Sequence, residues 1–295
     1  MKILIADAFN KALPQKLAQF GEVTADAKQL PGAEVVLVRS KTKCTKEYID
    51  GAPNLKLIIR GGVGTDNIDK EHAKTKKVLV KNTPKASSIA VAELAFALMI
   101  SIPNRIVRAH ESMKQGKWLK KELERTELFG KTLCMIGLGN IGTEIAKRAQ
   151  AFGMKVVAYD VVAKACPYAE MRPSLAEAVQ DADYISLNTP LTDQTKGMVN
   201  ADLIAKMKKG VAFVNTSRAK CVVPEAMAAA LNSGHVCAYA TDVWPSDPPE
   251  ADYPLLKAPN VIMTPHLGAS TVENLDRISA EVVDIISSLK KEGKL

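Results

Sequence analysis

The 295-residue sequence lacks any uncharged apolar run of about eighteen residues, the length that a membrane-spanning helix needs. Its first residues, MKILIADAF, form only a short apolar run broken by Asp7, unlike the longer apolar stretch of a secretory signal. Both absences point to a cytoplasmic chain with no membrane partner. The five cysteines, at positions 44, 134, 166, 221 and 237, contain no C-x-x-C pair. An odd, scattered set of thiols argues against a disulfide framework and a zinc site, and fits buried filler in a reducing compartment. No metal is expected. Internal repeats, low-complexity tracts and recognisable nucleic-acid motifs are also missing, and the Lys and Arg residues behind the formal charge of +8 are interleaved with Glu and Asp. An anionic small molecule accounts for that excess, and no nucleic-acid partner is expected.

What is present is enough apolar material for a sizeable core, 47% of the chain, over a length that favours two domains. Short apolar runs alternate with helical patterns. KILIA, EVVLV, LKLII and KVLV fall in the first 80 residues, and KTLCMIG, MKVVAYD, DYISLN, GVAFVN, CAYATDV and NVIMTP follow residue 130. This rhythm reads as parallel strands joined by crossover helices. A long helical pattern from Ser88 to about Met113, interrupted only by Pro103, separates the two series and places a domain junction near its start. The amphipathic ENLDRISAEVVDIISSLKK closes the chain and is expected to return to the first domain.

CMIGLGNIGTEIAKRAQ, residues 134–150, sets Gly137, Gly139 and Gly142 between a strand pattern ending at Ile136 and a helical pattern from Ile141 to Ala151. A lone G-x-G-x-x-G is weak evidence. Here a second strand pattern, MKVVAYD, ends in Asp160, eighteen residues after Gly142, and an acid at that point is what binds the adenosine ribose in a dinucleotide fingerprint. The first glycine permits the turn, the second admits the pyrophosphate to the backbone, and the third lets helix pack on strand, while the helix N-terminus faces the negative charge. Asp160 repels a 2′-phosphate and no Arg immediately follows it, so the expected cofactor is NAD rather than NADP.

NTSR (215–218), DVWPSDPP (242–249) and TPHLGAST (264–271) each follow a strand-like run, at the ends of parallel strands where ligands bind. Of the four histidines, His72 and His110 lie in charged helical patterns and His235 in a turn. Only His266 is framed by Pro265 and Gly268.

With these segments in place, the chain resembles the D-isomer-specific 2-hydroxyacid dehydrogenases along essentially its whole length. The resemblance runs through VRS (38–40), GGVGTDNID (61–69), NTP (82–84), AEL (92–94), SMKQGKW (112–118), TELFGKTL (126–133), GLGNIG, TPLT (189–192) and TPHLGAST. It is closest to the members that oxidise D-3-phosphoglycerate to 3-phosphohydroxypyruvate in serine biosynthesis. It implies an α/β fold of two doubly wound parallel sheets, with a Rossmann NAD-binding domain (91–271) inserted in a flavodoxin-like substrate domain (1–90 and 272–295). It also implies a homodimer formed through the NAD-binding domain.

The chemistry implied is consistent. Oxidising an alcohol beside a carboxylate needs a cation for the carboxylate and a base for the hydroxyl proton, roles the resemblance gives to Arg218 and His266. Arginine's fork suits a carboxylate, and histidine titrates near neutrality. In the family a Glu orients the His. The matching residue is Asp247, one methylene shorter, in a loop stiffened by Pro245 and Pro248. A bridging water or a loop shift is therefore expected, with Glu250 as the competing candidate. After Arg218 the family's usual glycine pair and acidic residues give way to Ala219, Lys220, Val223 and Pro224. Cofactor contacts are implied for Gly137, Gly139, Asn140, Ile141, Gly142, Asp160, Thr189, Pro190, Thr195, Asp242 and Gly268.

For the substrate the resemblance points to Arg39, Arg60, Gly62, Asn82 and Lys120, the last standing where an arginine is usual and reaching over from a partner subunit. The three cations imply a phosphorylated 2-hydroxy or 2-keto acid. Two other readings stay open: a hydroxypyruvate or glyoxylate reductase of the same family, and an NAD-sensing corepressor that uses the fold for partner binding.

Overall fold

The computed structural model describes residues 1–162 and 165–295 and divides into two compact units, Met1–Ser88 with Ala269–Leu295, and Ile89–Gly268. Both boundaries fall slightly before the expected 90/91 and 271/272. In the first unit β1 (Lys2–Ile5), α1 (Leu13–Leu17), β2 (Glu22–Thr24), β3 (Val35–Val38), α2 (Lys46–Asp50), β4 (Leu57–Arg60), α3 (Lys70–Thr75) and β5 (Leu79–Asn82) follow in turn. The strands run parallel in the order β2-β1-β3-β4-β5, the flavodoxin-like order.

Strand β3 is buried at every position, as a parallel sheet covered on both faces requires. Ile3, Leu37 and Ile59 meet Ile278, Val282, Ile286 and Leu289 on one side. Leu4, Val36 and Ile58 meet Ile49 and Ala73 on the other. The four residues from Ile278 to Leu289 recur every three or four positions along the closing helix, Val272–Lys291. That helical spacing gives one apolar stripe, so the end of the chain packs with its beginning. Thr271 caps the helix by accepting the Asn274 N–H at 3.0 Å.

The second unit begins in α4 (Ser88–Ser101) and continues with α5 (Ile106–Lys114), β6 (Thr132–Ile136), α6 (Asn140–Ala151), β7 (Lys155–Tyr159), β8 (Glu170–Met171), α7 (Leu175–Val179) and β9 (Tyr184–Leu187). It ends with α8 (Ala201–Ala205), β10 (Val211–Asn215), α9 (Pro224–Ser233), β11 (Val236–Thr241) and β12 (Val261–Met263). Pro103 separates α4 from α5, which bend by 66°, because proline cannot continue the backbone ladder. Among the described residues no single helix is long and apolar enough to cross a membrane; only this bent pair passes by length and composition, and Ala92, Ala95, Leu98 and Met99 of α4 are core.

The parallel strands run β12-β11-β10-β9-β6-β7-β8. From β6 the chain builds outward through β7 to β8, then returns to β9 on β6's other side. The order therefore reverses between β6 and β9, and in open α/β sheets a crevice for ligands opens beyond the strand ends at such a point. Cys44, Cys134 and Cys221 are buried as expected, whereas Cys166 and Cys237 are half-buried.

Candidate active site

The glycine turn lies at that reversal. Gly137 follows β6 with φ +96°, a conformation glycine adopts without penalty, and a Cβ there would stand 2.7 Å from the Asn188 carbonyl oxygen beyond β9. A Cβ on Gly142 would stand 2.3 Å from the Gly137 carbonyl oxygen, so this glycine lets α6 pack on the turn. A Cβ on Gly139 would meet no protein atom within 4 Å. Packing therefore does not require glycine at 139, and the backbone there is open to close approach by a ligand. Gly139 is also the N-cap of α6 and supplies no side-chain cap, which suits a pyrophosphate at Asn140 and Ile141. These residues fit a bound dinucleotide.

Asp160 follows β7. One carboxylate oxygen accepts the Leu138 N–H at 2.7 Å and the other the Val162 N–H at 2.7 Å. The acid is thus locked onto the glycine turn, at the position where a dinucleotide fold presents a carboxylate to the ribose. In the loop after β9, the Thr195 hydroxyl donates to the Pro190 carbonyl at 2.6 Å and accepts the Thr192 N–H at 2.8 Å. Thr195 shapes that loop, while Thr189 places its hydroxyl 4.0 Å from Cys221 Sγ.

His266 stands after β12 with φ +57°, in the left-handed region that costs a residue with a Cβ of order 1 kcal/mol. Asp242, at the end of β11, holds it there. Its carboxylate accepts the Thr264 hydroxyl at 2.6 Å and the Leu267 N–H at 2.7 Å on one oxygen, and the Gly268 N–H at 2.8 Å on the other. Asp242, expected among the cofactor contacts, is 1% exposed and uses both oxygens inside the chain. Gly268 admits it, since a Cβ there would lie 3.0 Å from Asp242 Oδ2.

The His266 Nδ1 nitrogen lies 2.7 Å from Asp247 Oδ2. Of the two expected arrangements the bridging water is not needed: the shorter carboxylate reaches the ring directly. The reason is the path of the loop. Trp244 Nε1 donates to the Thr264 carbonyl at 3.0 Å, drawing residue 244 to the histidine segment, and the Ser246 hydroxyl donates to the Pro248 carbonyl at 2.8 Å. Glu250 is exposed and makes its contact through its backbone, whose carbonyl accepts the Tyr253 N–H at 3.0 Å. With Nδ1 facing Asp247, Nε2 is the nitrogen turned to other partners.

Arg218 follows β10, and its Nη1 donates to the Ser217 carbonyl at 2.7 Å. Its turn hangs on Asn215, a residue that the sequence reading did not single out. The signal was there, a polar residue ending the otherwise apolar VAFVN. His72 and His235 lie elsewhere, bonded to Asp50 at 2.9 Å and to the Met207 carbonyl at 3.1 Å.

In the first unit Arg39 and Arg60 stand at the ends of adjacent strands, Val38 pairing with Arg60 and Arg60 with Asn82. Arg39 Nη2 donates to the Ala269 carbonyl at 3.0 Å and Nη1 to the Ala8 carbonyl at 3.4 Å. Burial pushes its guanidinium pKa down, with Asp7 opposing. Arg60 folds over Gly62, whose φ is +141° and whose Cβ would overlap the guanidinium. The Gly62 N–H donates to Thr83 Oγ1 at 2.7 Å, and Asn82 Nδ2 to the Val63 carbonyl at 2.5 Å. Lys120 belongs to the second unit and is exposed. No cluster of His, Cys, Asp and Glu suited to a metal occurs among the described residues.

Comparison with known proteins gives the family and the fold. Residues 96–268 match the family model described as D-isomer specific 2-hydroxyacid dehydrogenase, NAD binding domain. The chain is 46% identical over 261 residues to hydroxypyruvate reductase of Thermotoga maritima, covering 88% of this chain and 85% of that protein. It is 41% identical over 291 residues to D-3-phosphoglycerate dehydrogenase of Methanocaldococcus jannaschii, covering 92% of this chain but 54% of that protein. This chain thus spans about half the length of the latter relative. Among solved structures it resembles NAD-dependent formate dehydrogenase from Staphylococcus aureus in complex with NAD, with TM-score 0.87, 30% identity and 99% and 96% of the two chains covered. D-lactate dehydrogenase from Aquifex aeolicus, complexed with NAD and lactic acid, matches with TM-score 0.86, 30% identity and the same coverage.

Proposed function

The chain belongs to the D-isomer specific 2-hydroxyacid dehydrogenase family and is an NAD-dependent oxidoreductase; we propose that it interconverts D-3-phosphoglycerate and 3-phosphohydroxypyruvate. The observation that carries the chemistry is the 2.7 Å contact between His266 and Asp247, in the same unit as the glycine turn. Asp247 accepts the Nδ1 proton and fixes the ring, so that Nε2 takes the hydroxyl proton during oxidation and returns it during reduction. The planar fork of Arg218 binds the substrate carboxylate. Bound NAD supplies the hydride chemistry at the substrate's second carbon.

The phosphate is supported by Arg39 and Arg60 on adjacent strand ends and, more loosely, by Lys120. A second reading, in which the substrate is unphosphorylated hydroxypyruvate, is favoured by the 46% identity to hydroxypyruvate reductase and by the carbonyl partners that already occupy Arg39. Both readings share the carboxylate and differ only at the phosphate. Association of two copies through the second unit belongs to the same proposal. Trp118 and Phe129 are each 74% exposed there, with Ile106, Val107 and Met113 also exposed, apolar side chains that such an association would cover. A reducing compartment, the cytoplasm, suits five cysteines that form no disulfide, and this reaction there would feed serine synthesis.

The test is kcat/KM for both keto acids in two variants. Arg60→Ala is expected to weaken 3-phosphohydroxypyruvate by roughly 1.5 to 3 kcal/mol, the usual range for hydrogen bonds to charged groups, and hydroxypyruvate little. Arg218→Ala is expected to damage both. Equal loss on the two substrates in Arg60→Ala, or a preference of the unmutated protein for hydroxypyruvate, turns the assignment to the second reading.

A further inference from the structure

The side-chain amide of Asn215, 0% exposed, is saturated by the turn that carries Arg218. Its Oδ1 accepts the Ser217 N–H at 3.0 Å and the Ser217 hydroxyl at 3.2 Å, while Nδ2 donates to the Arg218 carbonyl at 3.1 Å and to the Tyr239 hydroxyl oxygen at 3.1 Å. An amide carries two donors and two acceptor lone pairs, so every position is used and the amide has one orientation only. The Arg218 guanidinium, in turn, donates to the Ser217 carbonyl at 2.7 Å. Side chain and turn are therefore coupled: whatever fixes the Ser217 and Arg218 peptides fixes where the fork points.

Behind Asn215 stands Tyr239 on β11, 1% exposed and stacked on Phe213 with ring centroids 6.0 Å apart. Its phenol also bonds Thr241, and burial raises its pKa, so it remains a neutral hydroxyl. The register of the two strands, Asn215 opposite Thr241, brings these groups together. The Thr241 hydroxyl donates to the Asn215 carbonyl at 3.2 Å, closing the arrangement on the backbone side.

We propose that Asn215, backed by Tyr239, is the positioning residue that aims Arg218 at the substrate carboxylate. This rests on the carboxylate role given to Arg218 above. An amide that only stabilised the fold would have no reason to spend three of its four bonds on the peptides and hydroxyl flanking one guanidinium. Two peptide groups held from opposite sides cannot rotate independently, so the fork is set before substrate arrives, and ordering it costs binding little.

The test is a double-mutant cycle with the keto acid that the unmutated protein reduces faster, reading kcat, KM and NADH affinity separately. Asn215→Ala is expected to raise KM by about tenfold or more, the effect of leaving buried groups unpaired, with NADH affinity unchanged. Tyr239→Phe, the milder variant should Asn215→Ala fail to fold, is expected to raise KM a few fold with kcat held. In an Arg218→Ala background, Asn215→Ala or Tyr239→Phe is expected to add less than about twofold, because the residue it positions is gone. Losses that add in full to that of Arg218→Ala, or that fall equally on NADH affinity, overturn the positioning role and leave the carboxylate role standing. An Arg218→Ala protein that keeps its kcat/KM overturns the carboxylate role and this inference with it.

Discussion

Asp247 Oδ2 stands 2.7 Å from His266 Nδ1, while Glu250, three residues further on, is exposed to solvent and does not share in that contact. The orienting acid is proposed to be the aspartate. Asp247→Asn should lower kcat by about tenfold to a hundredfold, less than the roughly 10² to 10⁴ that removing the acid–base group itself costs, with NADH affinity kept. Glu250→Gln should leave kcat within about twofold, the change expected of a surface residue. Turnover that survives Asn at 247 and is lost with Gln at 250 reverses the assignment.

The three glycines of the turn do different work, and alanine separates them. Gly139→Ala places its methyl in space that no protein atom occupies, so the thermal midpoint should hold while NADH affinity falls by about tenfold or more through obstruction of the pyrophosphate. Gly142→Ala drives a methyl to 2.3 Å from the Gly137 carbonyl oxygen and should cost about 1 to 3 kcal/mol of stability, as overpacking does. Calorimetry on both variants, with and without NADH, distinguishes them; equal loss of stability would falsify the division.

Asp160→Ala removes the acceptor of the Leu138 and Val162 N–H groups as well as the charge that repels a 2′-phosphate. NAD is expected to support turnover far better than NADP in the unmutated protein, and the variant should narrow that preference while weakening both cofactors. Equal use of the two by the unmutated protein contradicts the role given to this acid.

Asp50 carries a pH signature away from the site. Hydrogen bonds from Lys76, 2.6 Å away, and then His72 hold its pKa down at about 2 from an ordinary 3.8. A depressed carboxylate contributes stability that is fully present above its unfolded value and lost as pH falls through the folded one. The midpoint gap between the unmutated protein and Asp50→Asn should therefore be small and constant above about pH 5 and close toward pH 2. A gap that widens on acidification contradicts this.

Legibility followed locality. The strand, turn and helix from Thr132 to Ala151 could be read because each feature depends on neighbours in sequence, and Asp160 because it ends the next strand. The contact of Asp247 with His266 could not be read, since it depends on Trp244 reaching the Thr264 carbonyl, a meeting that two prolines in the loop argued against. Asp242 was expected among the cofactor contacts, whereas its hold on Leu267 and Gly268 requires the path of the chain after β12. Asn215 and Tyr239 went unremarked because their partnership arises from the pairing of β10 with β11. Arg39 was expected at the substrate, and the carbonyls of Ala8 and Ala269 that it meets could not be read because they come from opposite ends of the chain.

The most direct measurement is steady-state oxidation of NADH with hydroxypyruvate, 3-phosphohydroxypyruvate and glyoxylate, run beside NADH binding, for the unmutated protein and His266→Ala. The expected result is turnover of at least one keto acid that falls by about 10² to 10⁴ in His266→Ala, the range for removing a general acid, with NADH affinity unchanged. Tight NADH binding without turnover of any of the three would instead mark a protein that holds the cofactor to regulate a partner.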